Sequence, residues 1–304
     1  MTADWQGKSR GTVLGYKIFV FCMKNFGVSS AYFILYFVAF YFCFFAREST
    51  ISSYYYFRKR RKNSKVKSII NVYKSYYVFG QTIIDKVAIS SGLRDKFTYH
   101  FDGGDLIDKT LEQKKGAILI SAHVGNFEIA EHFFGELEEN ASISILTTDF
   151  EHSTIKEYLE RVTKKPSVNL ILIQEDLSHI FEINAALARN ELVCITGDRY
   201  IKSSKYLVED LLNQAAKFPA GPFLLASRLK VPVLFVYVMK ETNKHYHLFT
   251  RKAKVKHRDD QALLKEYTDS LTWMLEKYPL QWFNYFDFWE VKENKKLKQG
   301  SNHN

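Results

Sequence analysis

The sequence predicts an α/β fold: a mainly parallel central sheet flanked by helices, preceded by an N-terminal membrane-anchoring helical segment. Three observations carry this. From residue 116 to residue 278, short apolar runs alternate with segments of helical period, the pattern of strand–helix–strand crossovers. The strand candidates are continuously apolar, as strands covered on both faces are. Residues 25–46, "NFGVSSAYFILYFVAFYFCFFA", hold no charged residue over 22 positions.

Taken in order, the uncharged run comes first. As one helix it would measure about 33 Å, against a hydrocarbon core of about 30 Å. It lacks the small-x-small cleavage pattern of a signal peptide. "YYYFRKRRKNSKVK" (Tyr54 to Lys67) follows, tyrosines and then seven Lys/Arg, the composition of an interface belt with a basic flank for anionic lipid. A single span or a deep hairpin-like anchor is expected here, with an interfacial helix and a buried core helix as the competing readings. Residues 68–100 read as helical, because "IINVYKSYYVFGQTIIDKVAI" spaces its apolar residues by three and four. "FDGGD" (Phe101 to Asp105) reads as a turn.

Strand "GAILISA" and helix "NFEIAEHFFGEL" come next, followed by strand "SISILT" and helix "STIKEYLERVTKK", which Pro166 stops. Strand "NLILI", helix "SHIFEINAALARN" and strand "ELVCITG" follow. A polar loop then carries Lys202, Lys205, Glu209 and Asp210. A helix opens in "PAGPFLLASRL", strands "VPVLFVYV" and "HYHLFTRKAKV" come after it, and a last helix ends at Pro279. The organisation is an anchor and basic flank over 1–67, one α/β domain over 68–290, and a polar tail over 291–304 expected to be disordered.

The composition agrees with a packed, cationic protein. Of 304 residues 46% are hydrophobic, and the formal charge is +10, which favours anionic partners such as phospholipid headgroups or an acidic carrier protein. Nucleic acid is set aside, since it rests on charge alone and the basic cluster sits beside the apolar run. Cys22, Cys43 and Cys194 show no metal-ligand spacing and fit apolar surroundings in a reducing compartment. No GxGxxG, phosphate loop, HExxH or GxSxG is present. His245 and His247 alternate along a strand with no third ligand in view, so no metal is expected.

Three stretches carry chemistry. In "ISAHVGNFEIA", His123 ends a strand, Gly125-Asn126 makes the turn, and Asn126 can cap the following helix. Glu128 then falls in the first helical turn. A carboxylate accepting from Nδ1–H would fix the imidazole tautomer and leave the other nitrogen to take a proton from an attacking hydroxyl. By spacing alone, a satisfied strand-end histidine and a first-turn acid look the same. In "ITGDRY", Asp198 and Arg199 end another strand, and the arginine can hold a phosphate or carboxylate or form an ordinary salt bridge. In "KFPAGPFLLASRL", exposed amides near Gly221 can bind an anion or oxyanion, or be a simple turn and cap.

Together, "AILISAHVGNFEIA", "ITGDRY", "FPAGPFLLASRLKVPVLFVYV" and "EKYPLQWFNYFDFW" resemble the bacterial lipid A biosynthesis acyltransferase family over roughly residues 100–290. The resemblance implies a bacterial inner-membrane enzyme with its catalytic domain on the cytoplasmic face. It would move a fatty acyl chain from acyl carrier protein, ahead of acyl-CoA, to a lipid A precursor or similar lipid acceptor, with no cofactor beyond the thioester. Carried over by motif, His123 is the general base and Glu128 its partner, while Asn126, Asp198, Arg199, Phe218 and Gly221 serve substrate binding. Ala220 stands where the glycerolipid branch has a glutamate, which weakens glycerol-3-phosphate as acceptor. Two alternatives stay open: acylation of an aminoacyl lipid or lysophospholipid, and a non-catalytic membrane-tethered scaffold.

Overall fold

The computed structural model describes residues 13–130, 142–147, 168–174, 176–200 and 204–289. The expected helix over residues 153–165, most of that over 126–137, Lys202 and the polar tail lie outside the described residues.

The sheet has seven strands: β1 (Thr98–Asp102), β2 (Ala117–Ser121), β3 (Ile143–Thr147), β4 (Val168–Leu172), β5 (Leu192–Thr196), β8 (Val233–Lys240) and β9 (His245–Lys252). Their order is β1-β9-β8-β2-β5-β3-β4. Every pairing is parallel except β8 with β9. A separate antiparallel hairpin, β6 (Tyr206–Asp210) with β7 (Ala215–Pro219), occupies the stretch read as a polar loop. Its first strand alternates exposed and half-buried residues, so it lacks the continuous apolar signature of the central strands. β1 was likewise hidden by its polar residues at the sheet edge.

Helices cover both faces. The first four are α1 (Val13–Phe26), α2 (Val28–Phe45), α3 (Arg47–Tyr55) and α4 (Lys65–Ala88). They are followed by α5 (Asp105–Leu111), α6 (His179–Ala188), α7 (Ala220–Arg228) and α8 (Asp260–Lys277). Side chains alternate across a pleated strand. Accordingly, Ile118 and Ile120 of β2, with Val193 and Ile195 of β5, join a cluster that includes residues of α6, α7 and α8. Ala117, Leu119, Leu192 and Cys194 join a second cluster with residues of α1, α2, α4 and α5. This two-sided burial is why the strands read as unbroken apolar runs.

The uncharged N-terminal run is not one helix. Gly27, at φ +81°, separates α1 from α2, and Asn25 and Phe26 end α1. α2 keeps 18 residues, about 27 Å at 1.5 Å per residue. Its inner face of Val28, Ala31, Tyr32, Leu35 and Ala39 is buried. Leu35 sits so close to Gly80 of α4 that a β-carbon there would come within 2.3 Å of it.

A buried polar knot locks these helices to the sheet. Lys240, at the end of β8, places Nζ 2.5 Å from Asp85 of α4, and both side chains are almost wholly enclosed. The Tyr32 and Tyr246 hydroxyls donate to the same carboxylate, and Lys240 also donates to the Asn243 carbonyl at 2.6 Å. Burial pushes the Asp85 carboxyl up and the Lys240 ammonium down, and their mutual attraction opposes both shifts. Removing one member of such a pair strands a charge in the interior. Lys240→Met is therefore expected to cost about 3–5 kcal/mol. The double variant Asp85→Leu/Lys240→Met should recover most of that loss, as read from denaturant unfolding in detergent.

Candidate active site

The site stands at the carboxyl ends of the central strands β2 and β5, where parallel sheets place their ligands. These strands pair in register, Ser121 opposite Thr196. The ladder continues one step further, with the Gly197 amide donating to the Ser121 carbonyl at 2.9 Å. His123 and Asp198 therefore leave adjacent strands side by side. The His123 backbone N–H donates to Asp198 Oδ2 at 2.9 Å, and His123 Nδ1 lies 2.8 Å from Oδ1. The carboxylate is fully enclosed while the imidazole is 30% exposed, so one end of the pair is fixed and the other meets the surface.

Burial pushes the Asp198 carboxyl up. The charge and hydrogen bond of His123, the Arg199 guanidinium and the Asn284 amide pull it the other way, leaving it at about 2 against a usual 3.8. An ionised carboxylate only accepts hydrogen bonds, so the proton between the two groups belongs to Nδ1. Nε2 of the neutral imidazole then carries a lone pair, the arrangement of a general base.

The loop after His123 is held from three sides. The Asn126 amide N–H donates to the Val238 carbonyl at 2.7 Å and the Phe283 N–H donates to the His123 carbonyl at 3.0 Å. Val124 forms a bridge with Trp282. Gly125 has φ +60°, and a β-carbon there would lie 2.1 Å from the Val238 carbonyl oxygen, so both conformation and space demand glycine.

The predicted site residues fall into two groups. His123, Asp198 and Arg199 come together, but with other duties than expected. The Nδ1 bond that the spacing gave to Glu128 is made by Asp198. Glu128 stands on a short 3₁₀ turn, Phe127–Ile129, and its side chain lies outside the described residues. Asp198 is enclosed beneath the histidine. Arg199 turns inward as well: Nε donates to Asn284 Oδ1 at 2.7 Å and Nη2 to the Phe283 carbonyl at 3.1 Å. Asn126 makes no side-chain cap; its buried amide donates to the Thr82 carbonyl at 2.9 Å and reaches the Tyr246 hydroxyl at 3.3 Å.

Phe218 is fully buried, its ring edge-on to Phe288 at 5.6 Å, and no contact among the described residues joins it to His123. Gly221 is exposed at the start of α7, with open space where a side chain would be. A groove of about 620 Å³ runs beside that helix, lined by Lys205, Tyr206, Leu224 and Arg228 among others, and not by His123 or Asp198. His245 and His247 both lie against Glu241, at 3.9 and 3.1 Å.

Asn284 was not foreseen. Its amide nitrogen donates to Asp198 Oδ2 at 2.7 Å while its oxygen accepts from Arg199. Gln281 was also missed: its side chain pairs with both backbone groups of Lys240, at 3.0 and 2.7 Å. The available signal was two uncharged polar residues inside the aromatic run "LQWFNYFDFW", where a polar side chain must find a partner.

Residues 12–287 match the family of bacterial lipid A biosynthesis acyltransferases, which is nearly the whole chain. The chain belongs to that family. It is an acyltransferase, and the family works at bacterial membranes. Comparison with individual curated proteins gives no match, so the family carries the assignment. An acyl donor and a lipid acceptor are the reactants of such an enzyme.

Because folding depresses the Asp198 pKa, its contribution to stability is present above about pH 4 and is lost as pH falls through about 2. A depression from 3.8 to about 2 corresponds to about 2 kcal/mol at neutral pH. Asp198→Asn is expected to be less stable than the parent at pH 7, with the gap narrowing by pH 3. Urea unfolding at the two pH values measures it.

Proposed function

We propose that this acyltransferase carries a fatty acyl group from the thioester of an acyl carrier protein to a hydroxyl of a lipid A precursor, with His123 as general base. What supports the reading is the His123–Asp198 pair, whose enclosed carboxylate holds the proton on Nδ1 and leaves Nε2 basic. As the acceptor oxygen attacks the thioester carbonyl carbon, its proton passes to Nε2. The tetrahedral oxyanion collapses, the carbon–sulfur bond breaks, and the departing thiolate takes the proton back from the imidazolium. Asp198 stabilises that imidazolium through its charge. Glu128, four residues beyond the His123 neighbour, is read as a second negative charge favouring the same cation.

Asp198, Arg199 and Asn284 are read as positioning residues, since their polar groups bond to each other and to the loop. A net charge of +10 suits an acidic carrier protein as donor. The enzyme is placed at the inner membrane, catalytic domain facing the cytoplasm, where acyl thioesters are available. An aminoacyl lipid or lysophospholipid as acceptor would use the same base and the same proton path.

General-base help is worth about 10²- to 10⁴-fold. His123→Ala is thus expected to lose that much kcat with either acyl carrier protein or coenzyme A donor and a lipid A precursor, measured by mass spectrometry of the product. Near-normal turnover would remove His123 from the role. Asn284→Ala leaves Nε2 in place but loosens Asp198, so it should lower kcat about tenfold with little change in KM for the donor. The same assay reads both parameters.

A further inference from the structure

The family association leaves open how the chain meets the bilayer. The outer faces of the N-terminal helices answer this. On α2, Phe33, Phe37, Phe40 and Phe44 are each at least 60% exposed. Their spacing of four, three and four places them in one stripe opposite the buried face. The rings pair along the stripe, Phe33 with Phe37 at 5.6 Å and Phe40 with Phe44 at 4.9 Å. Exposed Phe21 of α1 and Ile69 of α4 extend the apolar surface on neighbouring helices. An exposed apolar area of this kind marks a surface that something covers.

The inner face excludes a detached span. Contacts along α2 descend α4 in step: Tyr32 to Asp85, Leu35 to Gly80, Tyr36 stacked on Tyr77 at 4.3 Å, Phe42 near Tyr76 at 6.5 Å. The helices thus run antiparallel and in contact over most of α2. Crossing the bilayer would require α2 to leave that contact, stripping Tyr32 from the Asp85–Lys240 pair. Otherwise it would have to draw α4 into the hydrocarbon together with exposed Lys74. Charge complementarity then identifies the occupant. Exposed Lys59, Lys62, Lys65 and Lys67 lie between α3 and the first turn of α4, beside exposed Val66 and Ile69. Apolar rings flanked by lysines match acyl chains beneath anionic headgroups.

We propose that α1, α2 and the first turns of α4 form one seat that enters a single leaflet of an anionic phospholipid membrane, and that α2 does not cross it. This rests on the membrane setting of the proposed function but concerns a different property, topology. The test uses the full chain in a Cys22→Ser/Cys43→Ser background, with Asn25→Cys at the α1–α2 turn or Lys62→Cys in the basic stretch. An impermeant maleimide is applied to sealed bacterial membrane vesicles of the two orientations. Both positions are expected to react from the same side. Reaction of the two from opposite sides, or protection of Asn25→Cys until detergent is added in the vesicles where Lys62→Cys reacts, overturns the proposal.

A second arm measures binding of the purified chain to vesicles of phosphatidylethanolamine with phosphatidylglycerol, and to phosphatidylcholine alone. Phe37→Asp/Phe44→Asp should weaken binding about tenfold or more per phenylalanine, with circular dichroism in detergent confirming the fold. Undiminished binding of this variant refutes the apolar seat. Equal binding to the neutral vesicles refutes the anionic occupant. Labelling and binding read out regardless of turnover, while acyl transfer in detergent micelles tests the chemistry, so failure of one is distinguishable from failure of the other.

Discussion

The site depends on the register of two neighbouring parallel strands. Because β2 and β5 pair with Ser121 opposite Thr196 and the ladder runs on to Gly197, the next two residues of each chain emerge together. One of them is His123 and the other Asp198. A slip of a single residue would reverse which face each side chain takes and would separate the imidazole from its carboxylate. Burial of both sheet faces holds this register, since Ile118 and Ile120 of β2 and Val193 and Ile195 of β5 enter one cluster while their alternates enter the other. Hydrophobic patterning therefore sets the geometry of the His123–Asp198 pair.

Register alone would leave the two side chains free to turn. The chain segment at 281–284 removes that freedom. Phe283 ties its N–H to the His123 carbonyl and its own carbonyl to Arg199, and Asn284 bridges Arg199 to Asp198. Both Asp198 oxygens have partners within the protein, Oδ1 at His123 Nδ1 and Oδ2 at the His123 N–H and the Asn284 amide, so the enclosed carboxylate is compensated rather than merely buried. That compensation keeps Asp198 ionised, and an ionised Asp198 in turn dictates the tautomer of His123. Arg199, half-buried, gives its Nε and Nη2 to this task.

The central strands and the helices at His179–Ala188 and Ala220–Arg228 were legible because their signals are local. Continuous apolar runs such as "AILIS" and "LVCIT" can satisfy only a doubly covered sheet. His123 was legible because it follows such a run and precedes a glycine turn. The edge strand at Thr98–Asp102 and the hairpin at Tyr206–Pro219 carry polar residues and so resemble loops. The identity of the carboxylate at Nδ1 was not legible, because His123 and Asp198 are 75 residues apart and only strand order makes them neighbours. Glu128 was the nearer acid in sequence, and proximity in sequence is a poor guide at strand ends. The break at Gly27 was visible as a glycine, but an uncharged run gives no sign that one face of it will be taken by the protein.

That last point joins the membrane side to the chemistry. α4 carries α2 along one side through Gly80 and Tyr77. Elsewhere on its surface it accepts the Asn126 amide at Thr82 and packs Phe79 on Phe283 at 4.9 Å. Tyr32, Asp85 and Tyr246 continue the link as a chain of hydrogen bonds from α2 to the residue that holds Asn126. α2 and the loop bearing His123 are thus joined through one close-packed helix, α4. A hinge between them would let an acceptor anchored by its acyl chains drift relative to the base, and misplacement of about 1 Å is costly to catalysis. If α2 lies in the membrane as proposed, joining it to the site through one helix would fix the height of His123 relative to the headgroups, a coordinate that catalysis on membrane-embedded lipid must control.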